Sequence, residues 1–306
     1  MPCNHKPQSD RMPRTCSHRR EPALQSALQA GLPISPVQFA AKGYSQFGAD
    51  GVIWAILFAL DSLRGGYYVE FGVQDGCERN TRWLAERCGW NGLLLDGSHA
   101  DASLNLHRAL VTAATISQTF ARNSVPRAPD LISIDVNDQD WHVWRSLAGA
   151  GYRPKVVVVE YSWDKGLWPA DLVPPLREAS IAGPWKLLPC RHGCQAGPPL
   201  HGTPRLGDPN RTNVFGATAV AFERLGHALG YSLVAVLMPD VYFVRDDLLG
   251  SPARFARTGQ ELLRSSPSTA LALTCRATLA CNGFTSSAEA LLVQNGSELS
   301  QYKAHS

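Results

Sequence analysis

Five carboxylates stand where short apolar runs give way to polar turns. Glu70 and Asp75 flank the turn in Tyr68-Val-Glu-Phe-Gly-Val-Gln-Asp-Gly76, Asp96 follows Gly92-Leu-Leu-Leu, Asp135 follows Leu131-Ile-Ser-Ile, and Glu160 closes a run of four valines. A glycine turn after a β-prone run brings backbone close to a ligand, and acids at strand ends offer hydrogen-bond acceptors and general bases. One acid in such a place is commonly a helix cap or a solvated loop residue. Several acids with a glycine turn read as a site.

The turn discriminates among nucleotide-type cofactors. A P-loop ends in Lys-Ser/Thr, and no such pair follows Gly76. A dinucleotide fingerprint needs G-x-G-x-x-G, whereas this turn has Gln74 at the second glycine. Glu70 and Asp75 would also repel a pyrophosphate. The same carboxylates suit S-adenosylmethionine, which carries a sulfonium, an ammonium and a ribose diol but no phosphate, because charge-assisted hydrogen bonds are the stronger kind. Gly72 and Gly76 keep the turn narrow. Asp96 falls where a doubly wound fold presents an acid to ribose hydroxyls, and Asp135 falls beside the switch point.

These residues need a scaffold with its strand ends on one edge. The pattern predicts a helix from Asp50, taken as its N-cap, to about Leu63, then strands over 67–71, 92–96, 114–120, 131–135 and 155–160. Helices are expected over about 80–88, from the second strand to about Leu110, and over 140–148. Four consecutive valines point to burial on both faces. The alternation makes an α/β fold with a doubly wound, mostly parallel seven-stranded sheet. A helix near 217–229 and strands over 231–237 and 241–245 complete it. The turn Met238-Pro-Asp240 is too short for a crossover, so those last two strands run antiparallel to one another. A proline-rich insertion, about 162–215, interrupts the rhythm, and Trp163 and Trp168 near its start read equally as covers for an acceptor or as core residues. Residues 1–40 read as a polar, basic tail, 41–250 as the main domain, and 251–306 as a low-order extension.

The chain has 306 residues, 44% hydrophobic and 18% charged, with a formal net charge of +3. That charge is too small to predict a nucleic-acid or anionic-membrane partner. The longest apolar run, Val52 to Leu60, is far short of the ~20 residues that span a bilayer. With no export signal visible, a soluble cytoplasmic protein with reduced thiols is expected. Cys3-Asn-His5, Cys16-Ser-His18 and Cys190-Arg-His-Gly-Cys194 do not match common zinc spacings, so no metal is expected.

In order along the chain, these segments resemble the FkbM-like S-adenosylmethionine-dependent methyltransferases, and especially an uncharacterised group related to them. The resemblance rests on Tyr44-Ser-Gln-Phe-Gly-Ala-Asp-Gly51, Val69-Glu-Phe-Gly-Val-Gln-Asp-Gly76, Asn80-Thr81, Gly89-Trp-Asn-Gly-Leu-Leu-Leu-Asp96, Asp130-Leu-Ile-Ser-Ile-Asp135, Arg153-Pro-Lys-Val-Val-Val-Val-Glu160, Phe215-Gly-Ala-Thr218, Gly230-Tyr-Ser-Leu-Val234 and Tyr242-Phe-Val-Arg-Asp-Asp-Leu248. It covers roughly residues 43–250 apart from most of the insertion. It implies a Rossmann-like class I fold and methyl transfer, with Glu70, Gly72, Asp75 and Gly76 at the methionine side, Thr81 among the cofactor residues, Asp96 on the ribose and Asp135 facing the methyl. Asp135 is the first choice for base, with Glu160 and His142 behind it. Small molecules and glycans are the acceptors it implies, with oxygen favoured over nitrogen. Relatives often read Asp-Gly after the fourth strand where this chain has Asn137-Asp138, which keeps open a non-catalytic binding module on the same fold.

Overall fold

The computed structural model describes residues 12–13, 15–16, 22–162, 173, 216–250 and 254–256. Its strands are β1 (Tyr67–Phe71), β2 (Asn91–Asp96), β3 (Leu106–Arg108), β4 (Leu131–Ile134), β5 (Val156–Glu160), β6 (Tyr231–Leu237) and β7 (Asp240–Arg245). They form one sheet in the order β3-β2-β1-β4-β5-β7-β6. The first five strands are parallel, while β7 runs antiparallel to both β5 and β6. This is the α/β, doubly wound, mostly parallel sheet that the sequence predicts, with its last two strands antiparallel to each other.

Helices α1 (Pro22–Gln29), α2 (Ala49–Ala59) and α3 (Arg82–Cys88) cover one face. Helices α4 (Ile116–Arg122), α5 (Asp140–Gly149) and α6 (Ala219–Ala228) cover the other. Period-two geometry explains the valine run of β5: Val156 and Val158 pack with the first group of helices, Val157 and Val159 with the second. On the α5–α6 face, Trp144 lies 4.8 Å from Phe243 and 5.7 Å from Tyr231 between ring centres. Burial of each such ring contributes about 2–3 kcal/mol.

Several local expectations are corrected. No helix follows β2 to Leu110. Asp101 accepts hydrogen bonds from the Ser103 N–H and hydroxyl, which holds a single 3-10 turn, and Asn105 then turns left-handed into the three-residue strand β3. The stretch expected as the third strand is α4 instead, because Ile116 and Phe120, four apart, are its buried residues. Within the expected polar tail, α1 buries Leu24, and Met12, Cys16 and Ile34 join the core. Ile34 exchanges backbone hydrogen bonds with Arg254 and Ala256, which lie in the segment expected to be a low-order extension. The thiols are not all reduced: Cys16 is disulfide-bonded to Cys88, and Cys77 is also in a disulfide. The proline-rich insertion, with Trp163, Trp168, Cys190 and Cys194, lies outside the described residues apart from Ser162 and Val173. Among the described residues, no helix is long and apolar enough to cross a membrane.

Asp50 is not the N-cap of α2. Gly48 takes that place with φ +97°, and Asp50 enters the first turn. Its Oδ2 accepts from the backbone N–H groups of Gly43, Tyr44 and Ser45 at 2.9, 2.9 and 2.7 Å, and from the Ser45 hydroxyl. One buried oxygen thereby folds the loop that precedes the helix. Asp50→Ala strands three N–H groups at about 1 kcal/mol or more each, so urea denaturation should show a loss of about 3 kcal/mol. A loss below about 1 kcal/mol would mean that the loop does not depend on this carboxylate.

Candidate functional site

The strand order reverses at β1, which lies between β2 and β4. A crevice opens at the carboxyl ends of strands at such a reversal. Gly72 leaves β1 at φ +69°, and a Cβ placed there would stand 2.0 Å from the Asp135 carbonyl oxygen. Only glycine fits, and the turn from β1 therefore lies directly on the end of β4. Gly72 N–H donates to the Leu95 carbonyl at 3.0 Å. Gln74, at φ +50°, aims its N–H at Asp96 Oδ2, 2.8 Å away. Gly76 closes the turn at φ +78°, and Arg79 reaches back to the Gly76 carbonyl at 2.8 Å.

The expected cofactor residues divide into two sets. Glu70 and Thr81 face inward. Glu70 Oε1 accepts from Asn80 N–H at 2.7 Å, while Oε2 accepts from Thr81 N–H at 2.9 Å and the Thr81 hydroxyl at 2.6 Å. Both residues are buried, so Glu70 holds the start of α3 against the end of β1 rather than presenting an open carboxylate. Gly72, Asp75, Gly76 and Asp96 shape the turn itself. Asp75 is exposed, with Oδ1 accepting from Cys77 N–H at 3.0 Å. Asp96 Oδ1 accepts from Ser98 N–H and hydroxyl and from His99 N–H and Nδ1–H. Burial pushes the Asp96 carboxyl up, but these donors together outweigh it and hold it below its ordinary value. Asp96 stays ionised. Its Oδ2 accepts from the Gln74 N–H and keeps a further lone pair to offer across the turn.

A second group of acids lies along β4, β5 and β7. Asp135 is open to solvent although protein surrounds it, the situation of a carboxylate at the bottom of a crevice. It is hydrogen-bonded to Glu160. Burial, then the charges of Asp135 and Asp140, push Glu160 up to about 11. At neutral pH Glu160 therefore holds the proton and donates it to Asp135. Burial raises Asp135 as well, and the bond from Glu160 opposes that rise. Asp140, at the start of α5, accepts from Val136 N–H at 2.7 Å, and burial with the neighbouring Asp135 pushes it well up.

The structure thus brings Asp135 and Glu160 together and sets the Asp96 turn beside them. His142 is buried on α5, its ring edge-on to Trp141 at 5.1 Å. Sequence reasoning missed Asp240, Asn80 and Asp140. Asp240 opens β7, directly paired with Glu160, and Asn80 bridges it to β4 through bonds to Asp240 Oδ2 at 3.4 Å and Ser133 Oγ at 3.2 Å. Its only trace in the sequence is an acid ending a tight turn, which reads as turn chemistry. Among the described residues no group of His, Cys, Asp and Glu has metal-holding geometry, and Cys16, part of the Cys-x-His repeat, is committed to its disulfide.

No family model matches the chain, and no curated protein matches it. Solved structures similar to it include MycE methyltransferase from the mycinamycin biosynthetic pathway in complex with Mg and SAH, at 13% identity and TM-score 0.37, covering 71% of this chain and 54% of that one. The same enzyme with Mg, SAH and mycinamycin VI matches at 15% identity and TM-score 0.36, covering 81% and 60%. The CMeT domain of the citrinin polyketide synthase matches at 12% identity and TM-score 0.31, covering 66% and 54%. The chain therefore spans little more than half the length of these proteins. At such TM-scores the site has to be judged on its own residues.

Asp240 gives the site a measurable signature. Burial first, then the charges of Asp135 and Glu70, push it from 3.8 up to about 8. The folded chain holds this proton more tightly than the unfolded chain, so the stabilisation is full at low pH and is lost as pH rises between those two values. Asp240→Asn removes the ionisation and keeps an oxygen for Asn80. Between about pH 5 and 8 its melting temperature should fall less than that of the wild type. An unchanged pH dependence in the variant would assign the effect to another group.

Proposed function

We propose that the chain is an S-adenosylmethionine-dependent methyltransferase that methylates a hydroxyl oxygen of a small molecule or glycan-type acceptor. One observation carries this reading: a turn packed through Gly72 onto the end of β4 sets an ionised Asp96 on the same edge as a solvent-open Asp135 paired with Glu160. That arrangement fits the cofactor's chemistry. Asp96 Oδ2 accepts from a ribose hydroxyl, and Gly72, packed on the Asp135 carbonyl, holds the turn that carries Gln74 and Asp75 against the end of β4. Asp75 keeps a carboxylate oxygen open towards a cation. Glu70 acts indirectly, by fixing Asn80, Thr81 and the turn between them and β1. Arg79, a buried cation beside the turn, donates to the Gly76 carbonyl.

When bound, the cofactor supplies an electrophilic methyl on a sulfonium leaving group. The protein's share is to align the acceptor and to take its proton. Asp135 would receive the proton of the acceptor hydroxyl. Glu160 keeps Asp135 oriented and ionised by donating to it, and burial, with the charge of Asp135 beside it, keeps the proton on Glu160.

Transfer of labelled methyl from S-adenosylmethionine into a fractionated extract, followed by mass analysis of the product, tests the activity and identifies the acceptor. Asp135→Asn should lower the rate about 100-fold or more. Glu160→Gln retains a donor and should lose about 10-fold or less. Glu160→Ala removes the bond that opposes the rise of Asp135, so the rate should climb at higher pH than in the wild type. Wild-type rates in Asp135→Asn would remove Asp135 as the base, and no labelled product from any fraction would leave the non-catalytic binding module.

A further inference from the structure

The disulfide Cys16–Cys88 joins two places 72 residues apart, and both cysteines are buried. Cys88 is the last residue of α3, the helix that leaves the glycine turn. Cys16 belongs to an N-terminal segment that lies along the same helix. Trp83 Nε1–H donates to the Pro13 carbonyl at 3.1 Å, and the Arg64 guanidinium donates to the Cys16 carbonyl. Met12 is in the same apolar core as Trp83, Leu84 and Cys88. The opposite end of α3 is tied to the turn: Glu70 receives the Asn80 and Thr81 N–H groups, and the Arg82 guanidinium donates to the Cys77 carbonyl at 2.8 Å. Cys77 lies in the turn and is itself disulfide-bonded. A helix of seven residues is too short to hold its own shape, so its position depends on these ties.

We propose that the Cys16–Cys88 disulfide is a covalent strap that fixes α3, and through it the glycine turn, and that the protein matures where thiols are oxidised. Disulfides persist in oxidising compartments and are rare where glutathione and thioredoxin keep thiols reduced. With both sulfurs buried, attack by an external thiol must await local opening, so the strap is a structural bond rather than a rapidly cycling switch. Reduction transfers two electrons from a dithiol to the cystine, giving two protein thiols and a cyclic disulfide. It frees the N-terminal segment from α3. The effect on ligand binding rests on the cofactor site proposed above, whereas the strap itself does not.

The test uses the full chain, refolded in a glutathione redox buffer, with peptide mapping under non-reducing conditions. A peptide linking Cys16 to Cys88 is expected, and its absence overturns the proposal. Hydrogen exchange of the amides in residues 80–88 is then compared before and after reduction with dithiothreitol, and in Cys16→Ser/Cys88→Ser. Exchange should accelerate about 10-fold or more in the reduced protein. Unchanged exchange would show that α3 does not depend on the bond. Because reduction is carried out on folded wild type, the result holds even if the double variant fails to fold. Titration with S-adenosylmethionine in both redox states should show binding weakened about 10-fold by reduction. If the oxidised protein does not bind at all, the cofactor reading falls, while mapping and exchange still decide the strap.

Discussion

The site depends on one close approach. The Asp135 carbonyl occupies the space into which any side chain at Gly72 would project. This contact locks the turn after β1 to the end of β4, the two strands on either side of the reversal. With Gly72 in place, Gln74 can direct its N–H to Asp96, and the β2 end joins the same arrangement. Three strand ends thereby become one rigid unit before any side chain is considered. Glu70 extends the unit to α3 by accepting that helix's leading N–H groups, and the Cys16–Cys88 bond holds the helix at its other end.

Gathering acids at one sheet edge carries an electrostatic cost, and the structure meets it in two ways. Where backbone and side-chain donors are plentiful, as around Asp96, the carboxylate stays charged. Where burial dominates, as at Glu160 and Asp240, the proton is retained and charge is avoided. The two environments push neighbouring acids in opposite directions, which leaves an ionised acceptor at Asp96 and protonated carboxyls at Glu160 and Asp240 along one edge.

The sheet was legible because its signals were strong and local. The valines of β5 report burial on both faces, the Gly92–Asp96 run ends where its apolar residues end, and Pro239 leaves room only for a tight turn between β6 and β7. The region from Gly97 to Arg122 was not legible. β3 buries a single residue, Leu106, so period-two alternation has nothing to register, and Asp101 and Asn105 impose turns that residue-by-residue propensity does not reveal. In the site, Asp96, Asp135 and Glu160 stood out as acids ending apolar strands. Which way each carboxylate faces was hidden. Glu70 and Asp96 look alike in sequence, yet Thr81 draws one inward while Gln74 anchors the other beside the turn. Asp240 and Cys16 were hidden for a different reason: their partners, Glu160 and Cys88, are distant in sequence, and pairing of that kind is set only by the completed fold.

The central claim, that the Gly72 turn and Asp96 form a seat for S-adenosylmethionine, is tested most directly by isothermal titration of the oxidised protein, with Asp96→Ala as the paired sample. Saturable one-to-one binding that is lost or greatly weakened in Asp96→Ala is the predicted result. No heat of binding at millimolar S-adenosylmethionine, or equal binding by the two proteins, would contradict it.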